Sequence, residues 1–299
     1  MRYLRCACGA LLAALSFIAS NTARAQDAAP FFRDIETKYV FGFTEGSGIG
    51  LEGEREVSLE STANIGKRDG RYFAGESKLE YEFTPNQYVQ FEFGPMLSAH
   101  KIKDVTGLDV RNQVAFSGAF GEVRYLLLDR GPSSPLGITL SAEPEWHRID
   151  ETGGAHVTNV GLEMKVNADL ELVPQRLYLG SNLLYEPEAT RDPVGVGAGW
   201  MQESTGGVSA ALAYRVVPAV LIGAEAWYLR HYDGAWFNSF TGDALLVGPT
   251  LFVQLNPKTF ISAAWNTQVW GREADNPGVA FNLAEYSRQR AKFKLAVEF

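Results

Sequence analysis

The chain has 299 residues, a formal charge of −8 and an apolar fraction of 46%. An acidic balance of that size excludes nucleic acid as a partner. Beyond the N-terminus, no apolar run approaches the ~18 residues of a membrane-crossing helix.

Residues 1–25 read as a secretory signal peptide. Arg2 and Arg5 form the positive start, Gly9 to Ser20 a short apolar core, and Ala23-Arg24-Ala25 the small-residue cleavage site. Cleavage before Gln26 would remove three arginines and no acid, taking the formal charge from −8 to −11. It would also remove Cys6 and Cys8, the only two cysteines, so no disulfide or thiol chemistry is expected afterwards. Residues 26–53 form a distinct N-terminal segment, expected in the periplasm or folded into the lumen of the domain formed by residues 54–299. Tyr39, Phe41 and Phe43 alternate and suggest a short strand. The glycines of Gly46-Ser-Gly-Ile-Gly50 fit no nucleotide-binding spacing and precede no helix, so they read as a flexible turn.

From residue 54 onward the period is two. Strands are expected over 54–65, 71–83, 87–100, 113–128, 136–149, 157–172, 176–186, 202–216, 219–232, 243–256, 259–271 and 285–299. The connections alternate in length. Thr84-Pro-Asn86, Val173-Pro-Gln175, Val217-Pro218 and Asn256-Pro-Lys258 are short, proline-marked turns. The intervening connections are mostly longer. The faces are also distinct: Phe73, Leu79, Tyr81 and Phe83 oppose Glu76, Lys78, Glu80 and Glu82. Aromatic residues gather near both ends of the apolar faces, as interfacial belts would. Pro95, Pro144 and Pro249 interrupt strands, and bulges are expected there.

The final stretch, Ala291-Lys-Phe-Lys-Leu-Ala-Val-Glu-Phe299, alternates without a break and stops on an aromatic residue. It resembles the C-terminal strand of Gram-negative outer-membrane β-barrels, whose terminal aromatic residue is read by the barrel-assembly machinery. The layout over residues 54–299 is similar to that of uncharacterised barrels named as transporters, including those linked by name to phenol degradation. The resemblance implies an all-β fold: a transmembrane antiparallel up-and-down β-barrel of about twelve strands in the cell outer membrane. Its partners would be outer-membrane lipid, the barrel-assembly machinery acting on Phe299, and a small-molecule solute.

Function should then lie in the lumen. The alternation points Glu56, Glu60, Glu76, Glu80, Glu82 and Glu92 inward from the first three strands. Arg288, Arg290, Lys292 and Lys294 point inward from the last, so acids and bases meet where the barrel closes. Across the whole register inward acids outnumber bases, which predicts a porin-like or substrate-selective channel with weak cation preference. The alternatives are a lumen-filled structural barrel and a membrane hydrolase. With four histidines and no nucleophile-elbow motif, no catalytic residue is assigned, and no cofactor is expected. Glu143, Glu145 and His147 share one face and form the one candidate metal-ligand set. Trp227 and His231, with Trp236 and Phe237 beyond them, are a candidate stacking patch.

Overall fold

The structure, a computed structural model, describes residues 36–131, 134–191 and 199–299; the expected leader and residues 26–35 lie outside them. The described residues form twelve strands: β1 (Arg55–Ile65), β2 (Arg71–Asn86), β3 (Val89–Lys103), β4 (Arg111–Leu128), β5 (Leu136–Ile149), β6 (His156–Val173), β7 (Leu177–Arg191), β8 (Met201–Val217), β9 (Val220–Asp233), β10 (Ser239–Asn256), β11 (Thr259–Glu273) and β12 (Gln289–Glu298). Each pairs antiparallel with its neighbours in sequence, and β1 pairs with β12 from Glu56↔Glu298 to Ile65↔Gln289, closing the barrel. Closure leaves no strand edge unpaired, which hydrocarbon surroundings require.

Burial is inverted relative to a water-soluble sheet. Val57, Leu59, Leu79, Phe91, Phe93 and Leu97 are exposed, whereas Glu56, Glu80, Glu82, Gln90 and Glu92 are buried. The apolar stripe faces outward and the charged stripe faces the lumen. The reverse arrangement would place Arg or Lys against lipid at about 2–4 kcal/mol each near mid-depth.

The prolines act differently from expectation. Pro95, Pro144 and Pro249 keep their pairing on one side, with Ala119, Leu162 and Ala224. The facing pairs are missing from the ladder on the other side, with no change of register at those points. A proline lacks one donor, so it weakens the ladder to one neighbour and leaves the other intact. The same device lets β7 run through Pro187, which pairs with Ser204 of β8, where a loop was expected from residue 187. The shift nearest Pro95 lies just past it, between Met96 and Leu97 in the ladder to β4. At the other extreme β12 starts at Gln289, so residues 285–288 belong to the preceding loop.

Candidate functional site

Residues 36–53 lie inside the half of the barrel next to the short turns. They form no strand: the expected Tyr39–Phe43 strand is a series of turns with one isolated bridge, Phe41↔Thr44. Gly42 has φ +91°, and a Cβ there would sit 2.7 Å from that of Ala264 and 2.8 Å from Glu225 Oε1. Glycine therefore lets the backbone reach the barrel wall. The Gly46–Gly50 run is packed, and a Cβ on Gly46 would lie 2.3 Å from the Thr37 carbonyl oxygen.

Four polar groups of wall residues and one aromatic stack hold the segment. Lys38 Nζ lies 2.8 Å from Glu82, 2.7 Å from Glu92 and 3.6 Å from Glu122, and donates to Gln90 at 3.3 Å. Glu45 pairs with both Arg124 and Lys165, and its backbone exchanges hydrogen bonds with the Asn182 amide. Glu225 accepts from the amides of Phe43 (3.1 Å) and Thr44 (2.7 Å). Asp169 accepts from the Ser47 amide at 2.8 Å and from the Thr37 hydroxyl. Tyr39 stacks on Phe260, which stacks on Phe252.

The electrostatics match this packing. Burial opposes the charge on Lys38, but Glu82, Glu92 and Glu122 hold its pKa well above the usual lysine value. Burial likewise opposes the charge on Glu45, and Lys165 and Arg124 outweigh it, holding its carboxyl well below the usual range. For Glu36 the balance goes the other way: burial and the neighbouring Glu82 outweigh Lys38 and push it up to about 8.

Above this segment, toward the longer loops, is a cavity of about 320 Å³ floored by Phe43 and Glu45. Ten glutamates and only five lysine or arginine side chains line it. The charge is partly segregated, although β6 also supplies Lys165, 2.7 Å from Glu163. Glu163, Glu186 and Glu188 come from β6 and β7, whereas Arg290 and Lys292 come from β12, opposite β6 in the closed ring. Trp227 contributes an apolar patch with Leu184 and Leu229, against which Phe43 and Tyr286 pack.

The residues predicted from sequence fall into separate roles. At the seam Lys292 lies 2.9 Å from Glu60, and Lys294 lies 2.6 Å from Glu80 and 4.0 Å from Glu60. Glu82 and Glu92 belong to the Lys38 cluster, and Glu56 is buried with neither carboxylate oxygen hydrogen-bonded. Arg290 lies over the Phe43 ring. Arg288 sits one residue before β12, donates to the Gln268 carbonyl at 2.7 Å and covers the Phe281 ring, so it is a rim fastening outside the last strand. Phe299 donates its amide to the Arg55 carbonyl at 2.9 Å, and its ring is exposed.

The candidate metal set keeps Glu145 beside His147, while a lysine pairs with both glutamates. Lys78 takes Glu143 at 2.5 Å and Glu145 at 2.6 Å. Glu145 also meets His147 Nε2 at 3.1 Å, and His147 further faces Glu76 and Glu151, two residues that the sequence does not bring together. The proposed stacking patch also separates: Trp227 lines the cavity, while Trp236 and Phe237 pack on Tyr185 at the loop end. Sequence reasoning missed Lys38 and Glu45 because an irregular segment has no period to read. It missed Glu186 and Glu188 because Pro187 looks like the end of a strand.

Residues 34–299 match a family of unknown function (DUF6662). The chain belongs to this family. No curated protein matches it. Among solved structures, it is similar to the COG4313 outer membrane channel from Pseudomonas putida F1, with a TM-score of 0.54 and 8% identity over 85% of this chain and 97% of that one. It is also similar to the translocator domain of the autotransporter NalP from Neisseria meningitidis, with a TM-score of 0.48 and 12% identity over 84% and 89%. What the DUF6662 chain shares with the Pseudomonas channel is the fold.

Proposed function

We propose that this DUF6662 protein is a porin-like channel of the outer membrane that favours small cations. In this reading residues 36–53 narrow its turn-end half and the acid-lined cavity forms its loop-end vestibule. It is not an enzyme. Lipid surrounds the exposed apolar face, and Phe299 serves the assembly machinery. The observation that carries the reading is the cavity lining, ten glutamates against five basic side chains. Low-dielectric walls focus such a field, so cations are enriched and anions repelled. The one specific rival is a lumen-filled structural barrel, favoured by how well residues 36–53 are held.

The test is a reversal-potential measurement in planar bilayers under a KCl gradient, with folding checked by heat-modifiable gel migration. Cation preference is expected, weakening at high salt as the screening length falls to about 3 Å at 1 M. Glu186→Gln with Glu188→Gln should reduce it. Anion preference would overturn the reading. Absence of conductance from well-folded protein would favour the filled barrel.

A further inference from the structure

His147 is 2% exposed, and its Nδ1 has no hydrogen-bond partner. A buried polar nitrogen of this kind carries a desolvation cost unless something meets it. Nδ1 points at Glu76 Oε2, 3.6 Å away, too far for a hydrogen bond. That separation suits two ligand atoms on one metal ion, since bonds of about 2.0–2.2 Å place neighbouring ligands roughly 3–3.6 Å apart. On the other edge of the ring, Nε2 meets Glu145 Oε2 at 3.1 Å, with Glu151 Oε1 at 3.3 Å. One ligand atom from each of Glu76, His147 and Glu151 can be chosen so that all three lie within 4.8 Å of one another.

We propose that Glu76, His147 and Glu151 bind a divalent transition-metal ion at the vestibule wall. Nδ1 is the ligating nitrogen beside Glu76, and the exposed Glu151 side chain turns from the Nε2 edge to complete the set. Nε2–H donates to Glu145, the outer carboxylate that fixes the tautomer and orients the ring, an arrangement common around metal-bound histidines. One imidazole and two carboxylates suit a borderline ion such as Zn²⁺ better than Ca²⁺, which takes six to eight oxygens. The charge is also appropriate. The surroundings hold four carboxylates, Glu76, Glu143, Glu145 and Glu151, and one ammonium, Lys78, a formal −3 with His147 neutral. Three segments are tied by the site: β2, β5 and the loop after β5. The proposal goes beyond the channel reading and does not depend on it, since a barrel that conducts nothing could still hold the ion.

The test is Zn²⁺ titration of the folded full chain in detergent by calorimetry at pH 7.5, with Ca²⁺ titrated in parallel. One Zn²⁺ per chain is expected, with Ca²⁺ at least 10-fold weaker. His147→Gln and Glu151→Gln should each weaken Zn²⁺ by 10-fold or more while keeping heat-modifiable migration. Glu285→Gln, which neutralises another carboxylate of the same cavity, should leave the affinity within 2-fold. No Zn²⁺ binding, or His147→Gln binding as tightly as the parent, would overturn the site. An equal loss in Glu285→Gln would also overturn it, showing diffuse attraction by the acidic cavity.

Discussion

Lys38 is the place to test whether residues 36–53 restrict the lumen. Its ammonium is 3% exposed and lies within 2.8 Å of Glu82 and Glu92 and 3.6 Å of Glu122. Lys38→Met keeps the aliphatic stem and removes the charge, leaving three buried carboxylates facing one another with Arg124 the nearest remaining cation. Removing one member of a buried ion cluster costs about 3–5 kcal/mol, because the partners stay desolvated and unpaired. That cost falls on the packed position of the segment, since the wall strands are held independently by their ladders. At 1.36 kcal/mol per factor of ten, it shifts the balance between packed and displaced segment by roughly 100- to 5,000-fold. Glu45, Glu225 and Asp169 still hold the segment, so the expected result is intermittent displacement. In single-channel recordings, Lys38→Met should show larger or more frequent conducting events than the parent, and Lys38→Arg should stay near the parent. The effect should shrink at pH 5, where a proton can replace the missing charge. Indistinguishable conductance at pH 7.5 from Lys38→Met and the parent, both heat-modifiable, would refute the argument that this segment restricts the lumen.

Glu36 is pushed from 4.5 up to about 8, so the folded segment favours its neutral form beside Glu82, Glu54 and Glu298, with Lys38 the opposing charge. Packing is therefore most favourable below the ordinary carboxylate value and weakens as pH rises toward about 8. Conductance should increase from about pH 5 to about pH 8 and level off above it, and Glu36→Gln should flatten that profile. At the seam, Lys294 is buried against Glu80 at 2.6 Å, and Lys294→Met should destabilise the barrel by about 3–5 kcal/mol. A lowered midpoint of heat-modifiable migration would show this, and Lys292→Met, at a more exposed pair with Glu60, should have the smaller effect.

The strands were legible because a barrel wall repeats one pattern, and Phe73/Glu76 or Phe91/Gln90 declare their faces locally. The seam was legible for a related reason: closure sets the last strand beside the first, so Lys292 and Lys294 had to meet the acids of β1 and β2. The partners of the N-terminal segment were not. Lys38 and Glu82 are separated by a chain reversal that no period encodes, Gly42 sat inside an expected strand, and Gly46 looked like slack where the fold uses both for close approach. The His147 cluster was half legible. Same-face spacing brought in Glu145, but Glu76 depends on the stagger between β2 and β5, and Glu151 on the path of a loop. Pro187 misled because proline was read as a strand end; its cost falls on one ladder only, so β7 continues and carries Glu186 and Glu188 into the cavity.

The position of residues 36–53 also explains where the uncompensated charge can reside. In the turn-end half they displace water, and a buried carboxylate without a donor is expensive there. Most acids in that half accordingly have donors: Lys38 for Glu82 and Glu92, Lys294 for Glu80, and backbone amides for Glu225 and Asp169. Glu56, with no hydrogen bond to either oxygen, and Glu36, whose Oε1 is unpaired, are exceptions. In the loop-end half the cavity leaves room for water, and solvation lowers the cost of an acid excess. The segment thus divides one charged lumen into a compensated half and an uncompensated half. Ion preference should arise in the vestibule and conductance should be limited below it, so substitutions at Glu186 and Glu188 should alter which ions pass, and substitutions at Lys38 should alter how many.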